Sequence, residues 1–295
     1  MRWRGGRLSK NVIDVRGRSG GRVGMPRSRG GKMAGGGGLG LIAIVVIGWL
    51  LGVDLTPLLG GQGGVVAPTS STQSEPVTAA DQERGEFAST VLAFTEDVWT
   101  QVFPEQVGRA YEPPQLVLFK GAVQSACGGA SAATGPFYCP ADERAYLDTD
   151  FFVTMERRLG AGGDFAAAYV IAHEVAHHIQ QELGILQAAN RERARSSETE
   201  SNAISVRIEL QADCISGVWA RYAGDRFGVL EPGDFQEALN AARAIGDDTL
   251  QRNAGRRVSP DSFTHGTSEQ RQRWLQIGYR TGDMQACDTL SARTL

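Results

Sequence analysis

The chain has 295 residues, of which 41% are apolar, so it can form a real core as one large domain or two small ones. Its net charge of −3 is the sum of a basic segment and an acidic one. Residues 1–32 contain ten basic side chains and one acid, Asp14, while the rest of the chain is acidic. An evenly basic or evenly acidic chain is therefore excluded. The basic arm has one aromatic residue, Trp3, and no fold signal, which argues against nucleic-acid binding.

The next segment, residues 33–53, contains no charged residue and reads MAGGGGLGLIAIVVIGWLLGV. As a helix it would span roughly 30 Å, the thickness of a bilayer core. We therefore predict one transmembrane helix in the cell membrane rather than a buried core helix. The positive-inside rule then places the arm in the cytoplasm and everything after residue 53 outside it. A cleaved signal peptide ending at VVA, residues 65–67, is the alternative, but that site lies far from the apolar run, so an uncleaved anchor is favoured.

Residues 54–85 are rich in Gly, Pro, Ser and Thr and show no apolar period, which is typical of a linker. From residue 86 to residue 295 the sequence resembles a globular domain. A few strands followed by a run of helices predict an α+β fold. We expect short strands within residues 115–121 and 135–152, and helices at 86–103 (ending before Pro104), 151–160, 164–183, 197–222, 233–245 and 268–279.

The four cysteines are an even number on the side of the membrane predicted to be oxidising. They allow three pairings, of which we favour Cys127 with Cys139 and Cys214 with Cys287. The first bridge would close the flexible loop GGASAATGPFY and stabilise the fold by roughly 3 kcal/mol. Four free buried thiols and a zinc site remain alternatives, although no C-x-x-C spacing supports zinc.

The stretch AAAYVIAHEVAHHIQ, residues 166–180, contains the pattern H-E-x-x-H. On a helix His173 and His177 lie roughly 40° apart around the axis, so both rings can bind one metal ion. They lie away from the apolar stripe of the same helix, and Glu174 between them can reach a bound water as a general base. His178 lies about 140° from His173 and cannot share the ion, so we expect it to pack or to support a neighbouring side chain.

A catalytic zinc usually takes three protein ligands, and RIELQADC downstream offers the third. Glu209 and Asp213 lie four residues apart on one flank of a predicted helix. We expect Glu209 to bind the metal and Asp213 to accept the free N–H of a ligating histidine. Two imidazoles and one carboxylate would leave zinc a net positive charge, which lowers the pKa of its bound water. A solvated pair of acids is the alternative.

These motifs carry a resemblance to known families. HEVAHH followed by ELQADC looks like a gluzincin. The set MRWRGGRLSKNV, the glycine-rich segment, GPFYCP, HEVAHHIQ, ELQADC and FTHGTSEQR resembles the bacterial putative neutral zinc metallopeptidase family. The resemblance runs from the first residues to the last helix, apart from the linker, and it implies a zincin-like fold and a zinc-dependent peptidase.

His265 and Arg271 in FTHGTSEQRQRW are spaced as in the H-P-x-x-x-x-R element of membrane-associated gluzincins, although Gly266 replaces the proline. The similarity implies that His265, with Arg271, stabilises the oxyanion of the reaction. An exposed loop histidine is the equally weighted alternative.

The sequence therefore predicts a membrane-anchored zinc peptidase that acts on proteins or peptides, with Glu174 as the base. The stretch RAYLDTDFF, residues 144–152, could be an edge strand that pairs with the substrate, or an ordinary strand. The alternative function is a zinc-stabilised binding or assembly module without turnover. A haem or redox role lacks a C-x-x-C-H element.

Overall fold

The structure, a computed structural model, describes residues 1–17, 76–131 and 134–295. Its strands are β1 (Val12–Asp14), β2 (Gln115–Phe119), β3 (Ala122–Ser125), β4 (Gly128–Ser131), β5 (Phe137–Cys139) and β6 (Arg144–Asp148). Its α-helices are α1 (Ala79–Val107), α2 (Phe151–Leu159), α3 (Asp164–Glu182), α4 (Ile185–Arg193), α5 (Glu198–Phe227), α6 (Asp234–Ala244), α7 (Asp247–Asn253) and α8 (Ser268–Thr281). A short 3₁₀ turn at Pro260–Ser262 lies between α7 and α8, and another at Met284–Cys287 follows α8.

A four-stranded sheet in the order β1-β2-β6-β5 supports the helices. The pairs β1–β2 and β2–β6 are parallel, and β5 is antiparallel to β6. Alternate residues of each strand face opposite sides, so Leu116 and Leu118 join the main helical core, whereas Val117 and Phe119 face the β3–β4 hairpin. The α+β prediction is therefore wrong, because most pairs in the sheet are parallel and α1 lies between β1 and β2 in the chain. The fold is mixed α/β.

The basic arm is part of this fold. Strand β1 pairs with β2, with Ile13 opposite Val117, and Arg7 binds Glu96 of α1 at 2.9 Å. Residues 1–17 thus pack on the same body as residues 76–295, and the two parts cannot lie on opposite sides of a bilayer. The prediction of a cytoplasmic N-terminus and an extracytoplasmic domain is wrong.

The transmembrane helix predicted for residues 33–53 lies outside the described residues, as does most of the predicted linker. Within residues 1–17, 76–131 and 134–295, no helix combines the length and the apolar character that a membrane span requires. The prediction of a single-pass membrane protein is therefore not supported.

Helix α1 extends beyond both predicted ends. It begins inside the predicted linker, because Thr78 and Asp81 form a capping box that satisfies the first backbone N–H groups. It continues through Pro104, which is exposed, and ends at Gly108, whose φ of 82° suits a residue without a side chain. A proline on the solvent side removes one backbone hydrogen bond and here does not end the helix.

The sequence analysis missed two short helices, α4 and α7, and the β3–β4 hairpin. Helices of this length are marginal on their own and depend on tertiary packing. Leu186 and Ala189 anchor α4 in a small cluster with Tyr138 and Ile208, and Leu250 of α7 is buried.

Both disulfides of the favoured pairing are present. Cys127, at the turn of the hairpin, is bonded to Cys139 of β5, and Cys214 of α5 is bonded to Cys287 in the last 3₁₀ turn. The first bond joins the hairpin to one end of the sheet, and the second joins the C-terminal segment to the middle of α5. The alternative of free thiols is wrong.

Helices α5 and α8 cross at two glycines. A Cβ atom at Gly278 would lie 1.8 Å from the carbonyl oxygen of Cys214, and one at Gly217 would lie 2.1 Å from that of Leu275. Since no side chain fits at either position, the two backbones are in direct contact. This close approach brings Asp213 of α5 and Arg271 of α8 together.

We expect Gly278→Ala or Gly217→Ala to lower the free energy of unfolding by about 1–3 kcal/mol, because the helices must separate. Gly224→Ala in the same α5 helix is the control, since its Cβ would meet Leu230 at an ordinary 3.6 Å; better helix propensity should stabilise this variant by up to about 1 kcal/mol. Urea unfolding measures all three. Equal stability of the Gly278 and Gly224 variants would contradict the close crossing.

Candidate metal centre

Two helices bring three ligand groups to one point. His173 and His177 lie one turn apart on α3, and Glu209 extends towards them from α5. The His173 Nε2 atom lies 3.0 Å from one Glu209 oxygen, and the His177 Nε2 atom lies 3.5 Å from the other. One ligand atom from each residue falls within 4.8 Å of the others, which is a separation that one ion can bridge.

The opposite nitrogen of each ring faces an acceptor. His177 Nδ1 lies 2.8 Å from the side-chain oxygen of Gln180, whose amide donates to the Ile208 carbonyl. His173 Nδ1 lies 2.9 Å from Asp213, although the two are not aligned as a hydrogen bond. Hydrogens on the Nδ1 atoms would leave both Nε2 atoms free to bind a metal ion, which is the arrangement that zinc-binding histidines require.

Asp213 is completely buried and joins the centre to α8. Arg271 donates from Nε and Nη2 to its two oxygens, each at 2.9 Å, and Tyr169 Oη donates to it at 2.5 Å. A buried carboxylate requires such compensation, since it has lost its water. Burial would raise the pKa of Asp213, but the charge of Arg271 and the contact with His173 outweigh burial and lower the pKa to about 2.

The ligand groups shift each other's pKa strongly. Burial lowers the pKa of His173, but Asp213 and Glu209 outweigh it and raise the pKa to about 10. Burial raises the pKa of Glu209, but the charge of His177 and the hydrogen bonds of both histidines hold it well below its usual range. Two anions thus face this centre, and they would offset the charge of a divalent cation. The donor set and its surroundings fit Zn²⁺.

Glu174 lies beside the ligands and is buried. Burial raises its pKa, and the nearby charges of His177 and His173 offset only part of that rise. A carboxylate with a raised pKa is a better proton acceptor near neutral pH. The side chain therefore has the environment expected of a general base.

A cavity of about 140 Å³ opens beside these residues. Val170, one helical turn before Glu174, forms part of its wall, which places the cavity next to the base. The ligands, Glu174, His265 and Arg271 contribute to its lining, and most of the other lining residues are apolar, among them Phe137, Phe151, Leu159, Val170, Ile245 and Leu250.

His265 also reaches this cavity and is buried rather than exposed. Its Nδ1 atom lies 3.1 Å from Asp247, and an Asp247 oxygen accepts backbone hydrogen bonds from residues 264, 265 and 266. Burial lowers the pKa of His265, but the Asp247 carboxylate outweighs it and raises the pKa. The ring thus tends towards the charged form, with Nε2 free of the Asp247 contact.

The structure thus brings together every residue that the sequence analysis selected for the centre. It also adds Tyr169, Gln180 and Asp247, which the sequence analysis missed. Gln180 lies in the HEVAHHIQ motif on the face of His177, so helical spacing alone could have indicated it. Tyr169 lies one turn before His173 and could have been found in the same way. No local signal connects Asp247 with His265, because they meet only through the loop before α8.

Of the two interpretations of RAYLDTDFF, the structure agrees with the ordinary strand rather than with the edge strand. Strand β6, in RAYLDTDFF, pairs with β2 on one side and β5 on the other, so it is internal. Among the described residues β1 and β5 are the two end strands of the sheet, and the β5 residues Phe137 and Tyr138 line the cavity. The sheet edge beside the metal centre is therefore provided by β5.

The chain is similar to proteins of one known family. A family model described as "Putative neutral zinc metallopeptidase" matches residues 1–290. "Uncharacterized protein YpfJ" of Escherichia coli (strain K12) is 47% identical over 291 residues, which cover 98% of each chain. "Uncharacterized protein Mb2605" of Mycobacterium bovis is 46% identical over 208 residues, covering 67% of this chain and 68% of that protein. No solved structure matches the chain.

Zinc uptake at neutral pH should release about one proton, because a His173 ring with a pKa of about 10 must lose its hydrogen to bind metal. The apparent zinc affinity should therefore rise about tenfold per pH unit from pH 7 towards pH 10. Calorimetry in buffers of different ionisation enthalpy counts the proton. Asp213→Asn removes one of the two anions that raise the pKa of His173, so this variant should release fewer protons when it binds zinc. Affinity that is constant between pH 7 and pH 9 would contradict this assignment.

Proposed function

The chain belongs to the putative neutral zinc metallopeptidase family, and from this premise we propose that it is a zinc-dependent peptidase. One observation carries the proposal: His173, His177 and Glu209 converge beside Glu174 at the wall of a cavity. When bound by these three residues, Zn²⁺ supplies a Lewis acid that polarises a carbonyl group and lowers the pKa of water. Three protein ligands leave a coordination position for chemistry, whereas a purely structural zinc site takes four.

Glu174 acts as the base. Its carboxylate accepts a proton from the attacking water and then donates it to the amine that leaves the cleaved peptide bond. Burial supports both steps, because a raised pKa makes the carboxylate a stronger acceptor and stabilises its protonated form.

His265 stabilises the negative charge that develops on the substrate oxygen. Asp247 holds its Nδ1 atom and favours the charged ring, so Nε2 can donate a hydrogen bond. Arg271 has a different role from the one that the sequence suggested. Two of its donors bind Asp213, so we assign it to orienting that carboxylate.

The peptide backbone binds along β5. This strand is the end of the sheet next to the ligands, and a peptide in extended conformation can add to such an edge through backbone hydrogen bonds. The cavity beside Glu174 then receives one side chain next to the bond that is cleaved. Its apolar wall favours a large apolar residue, since a cavity of roughly 150 Å³ accommodates a benzene ring.

We expect Glu174→Gln to keep its zinc and to lose roughly 10²- to 10⁴-fold in turnover of a casein or peptide substrate, because only the base is removed. Glu209→Gln is the matched contrast, since it removes a ligand and should lose metal as well as activity. Elemental analysis and peptide hydrolysis, sensitive to a chelator and restored by zinc, measure both. Full activity of Glu174→Gln would refute the mechanism, and an inactive zinc-loaded parent would favour a binding module.

Val170→Phe should fill the apolar cavity and reduce cleavage next to Phe or Leu by about tenfold or more, while cleavage next to Ala should be less affected. Val153→Phe on α2 is the control, because Val153 does not line this cavity. Competition between peptides that differ in one position gives the ratio of kcat/KM values. An unchanged preference in Val170→Phe would exclude this cavity as the side-chain site.

A further inference from the structure

Tyr138 connects the edge strand to the metal-binding helix. It is the middle residue of β5, and its side chain faces away from the sheet side on which Phe137 and Cys139 pack. It lines the cavity with the metal ligands, and its hydroxyl lies 3.0 Å from the Nδ1 atom of His178. His178 directly follows the ligand His177 in helix α3.

The neighbours of His178 determine which ring nitrogen carries hydrogen. Its Nε2 atom lies 2.7 Å from the carbonyl oxygen of Glu112, which can only accept, and 3.3 Å from a carboxylate oxygen of Glu182. Nε2 is therefore the donor, and the Tyr138 hydroxyl, 3.0 Å away, donates to Nδ1. The ring is buried, so water does not compete freely with either bond.

These bonds join three parts of the fold. Glu112 precedes β2, Tyr138 lies on β5, and His178 is held by helix α3. Strand β5 pairs with β6 and is bonded to the hairpin through Cys139. Its contacts with the helices include the packing of the Tyr138 ring on Leu186, Ile208 and His178, and the hydrogen bond of the Tyr138 hydroxyl. Apolar packing holds a ring without fixing its exact height, whereas a hydrogen bond requires one distance and direction.

We propose that His178 is a positioning residue that acts through Tyr138 and sets the spacing between β5 and the metal ligands. The inference rests on the proposed function, in which the peptide backbone binds to β5 while its carbonyl reaches the ligands on α3. Both contacts can form at once only when strand and helix keep one separation, and a shift of about 1 Å can cost on the order of 10²-fold in rate. A short substrate that does not reach β5 does not depend on this spacing.

Two substitutions at position 178 separate the two ring nitrogens. The Asn side chain in His178→Asn places an oxygen near the position of Nδ1 and can still accept from Tyr138. The longer Gln side chain in His178→Gln reaches the position of Nε2 and donates to Glu112 but loses Tyr138. Tyr138→Phe removes the hydroxyl alone. Tyr146→Phe is the matched control, because this β6 tyrosine also donates one hydrogen bond, to Asp142, on the other face of the sheet.

Each substitution is introduced into the full zinc-loaded chain that also carries Glu174→Gln, so that the peptide binds but is not cleaved. The affinity for a peptide of about eight residues, the zinc content and the melting temperature are measured for each variant. kcat/KM for the same peptide and for a blocked dipeptide is measured in the active background. We expect His178→Gln and Tyr138→Phe to weaken binding of the long peptide and to lower its kcat/KM by about tenfold. The dipeptide values of His178→Gln and the zinc content of all variants should not change, and His178→Asn and Tyr146→Phe should resemble the parent.

Equal losses in His178→Asn and His178→Gln would overturn the inference, and so would equal losses for long and short substrates. In either case hydrolysis by the parent would leave the proposed function intact. Absence of hydrolysis by the zinc-loaded parent would instead overturn the proposed function. If His178→Gln does not fold, Tyr138→Phe against Tyr146→Phe decides the question, since each removes one hydroxyl.

Discussion

The buried carboxylate of Asp213 is the interaction on which the centre depends. It lies between His173 of α3 and Arg271 of α8, and it belongs to α5. A charge without water in this position is tolerated only because a guanidinium and a tyrosine hydroxyl satisfy it. The contact also joins three helices and places a carboxylate oxygen 2.9 Å from the Nδ1 atom of the His173 ring.

Other parts of the fold serve this contact. The glycines at the α5–α8 crossing allow Arg271 to reach Asp213, and the bond between Cys214 and Cys287 fastens the C-terminal segment to the residue after Asp213. The sheet contributes to the centre by placing the edge strand β5 beside the metal ligands. Helix α3 thus provides two metal ligands and the base, α5 provides the third ligand, and β5 provides the edge strand, and buried polar contacts join these elements.

The N-terminal segment changes the interpretation of the charge distribution. Its basic residues resemble a topological signal in the sequence, but in the fold Arg7 binds Glu96, and Arg16 binds Asp14 beside helix α1. Arg4 and Arg7, in the described part of the N-terminal segment, thus pair with acidic side chains of α1. Composition gives the sum of the charges, and only the pairing shows where they are neutralised.

The sequence by itself determined the features that depend on local geometry. Helical spacing alone places His173 and His177 together, and Glu209 with Asp213, since residues four apart always share a helix face. The tertiary structure decided which ring nitrogens face Glu209, that Asp247 holds His265, that β1 belongs to the sheet and that β5 is its edge. Those contacts join residues far apart in the chain, and their free energy comes from burial and pairing that exist only after the chain has folded.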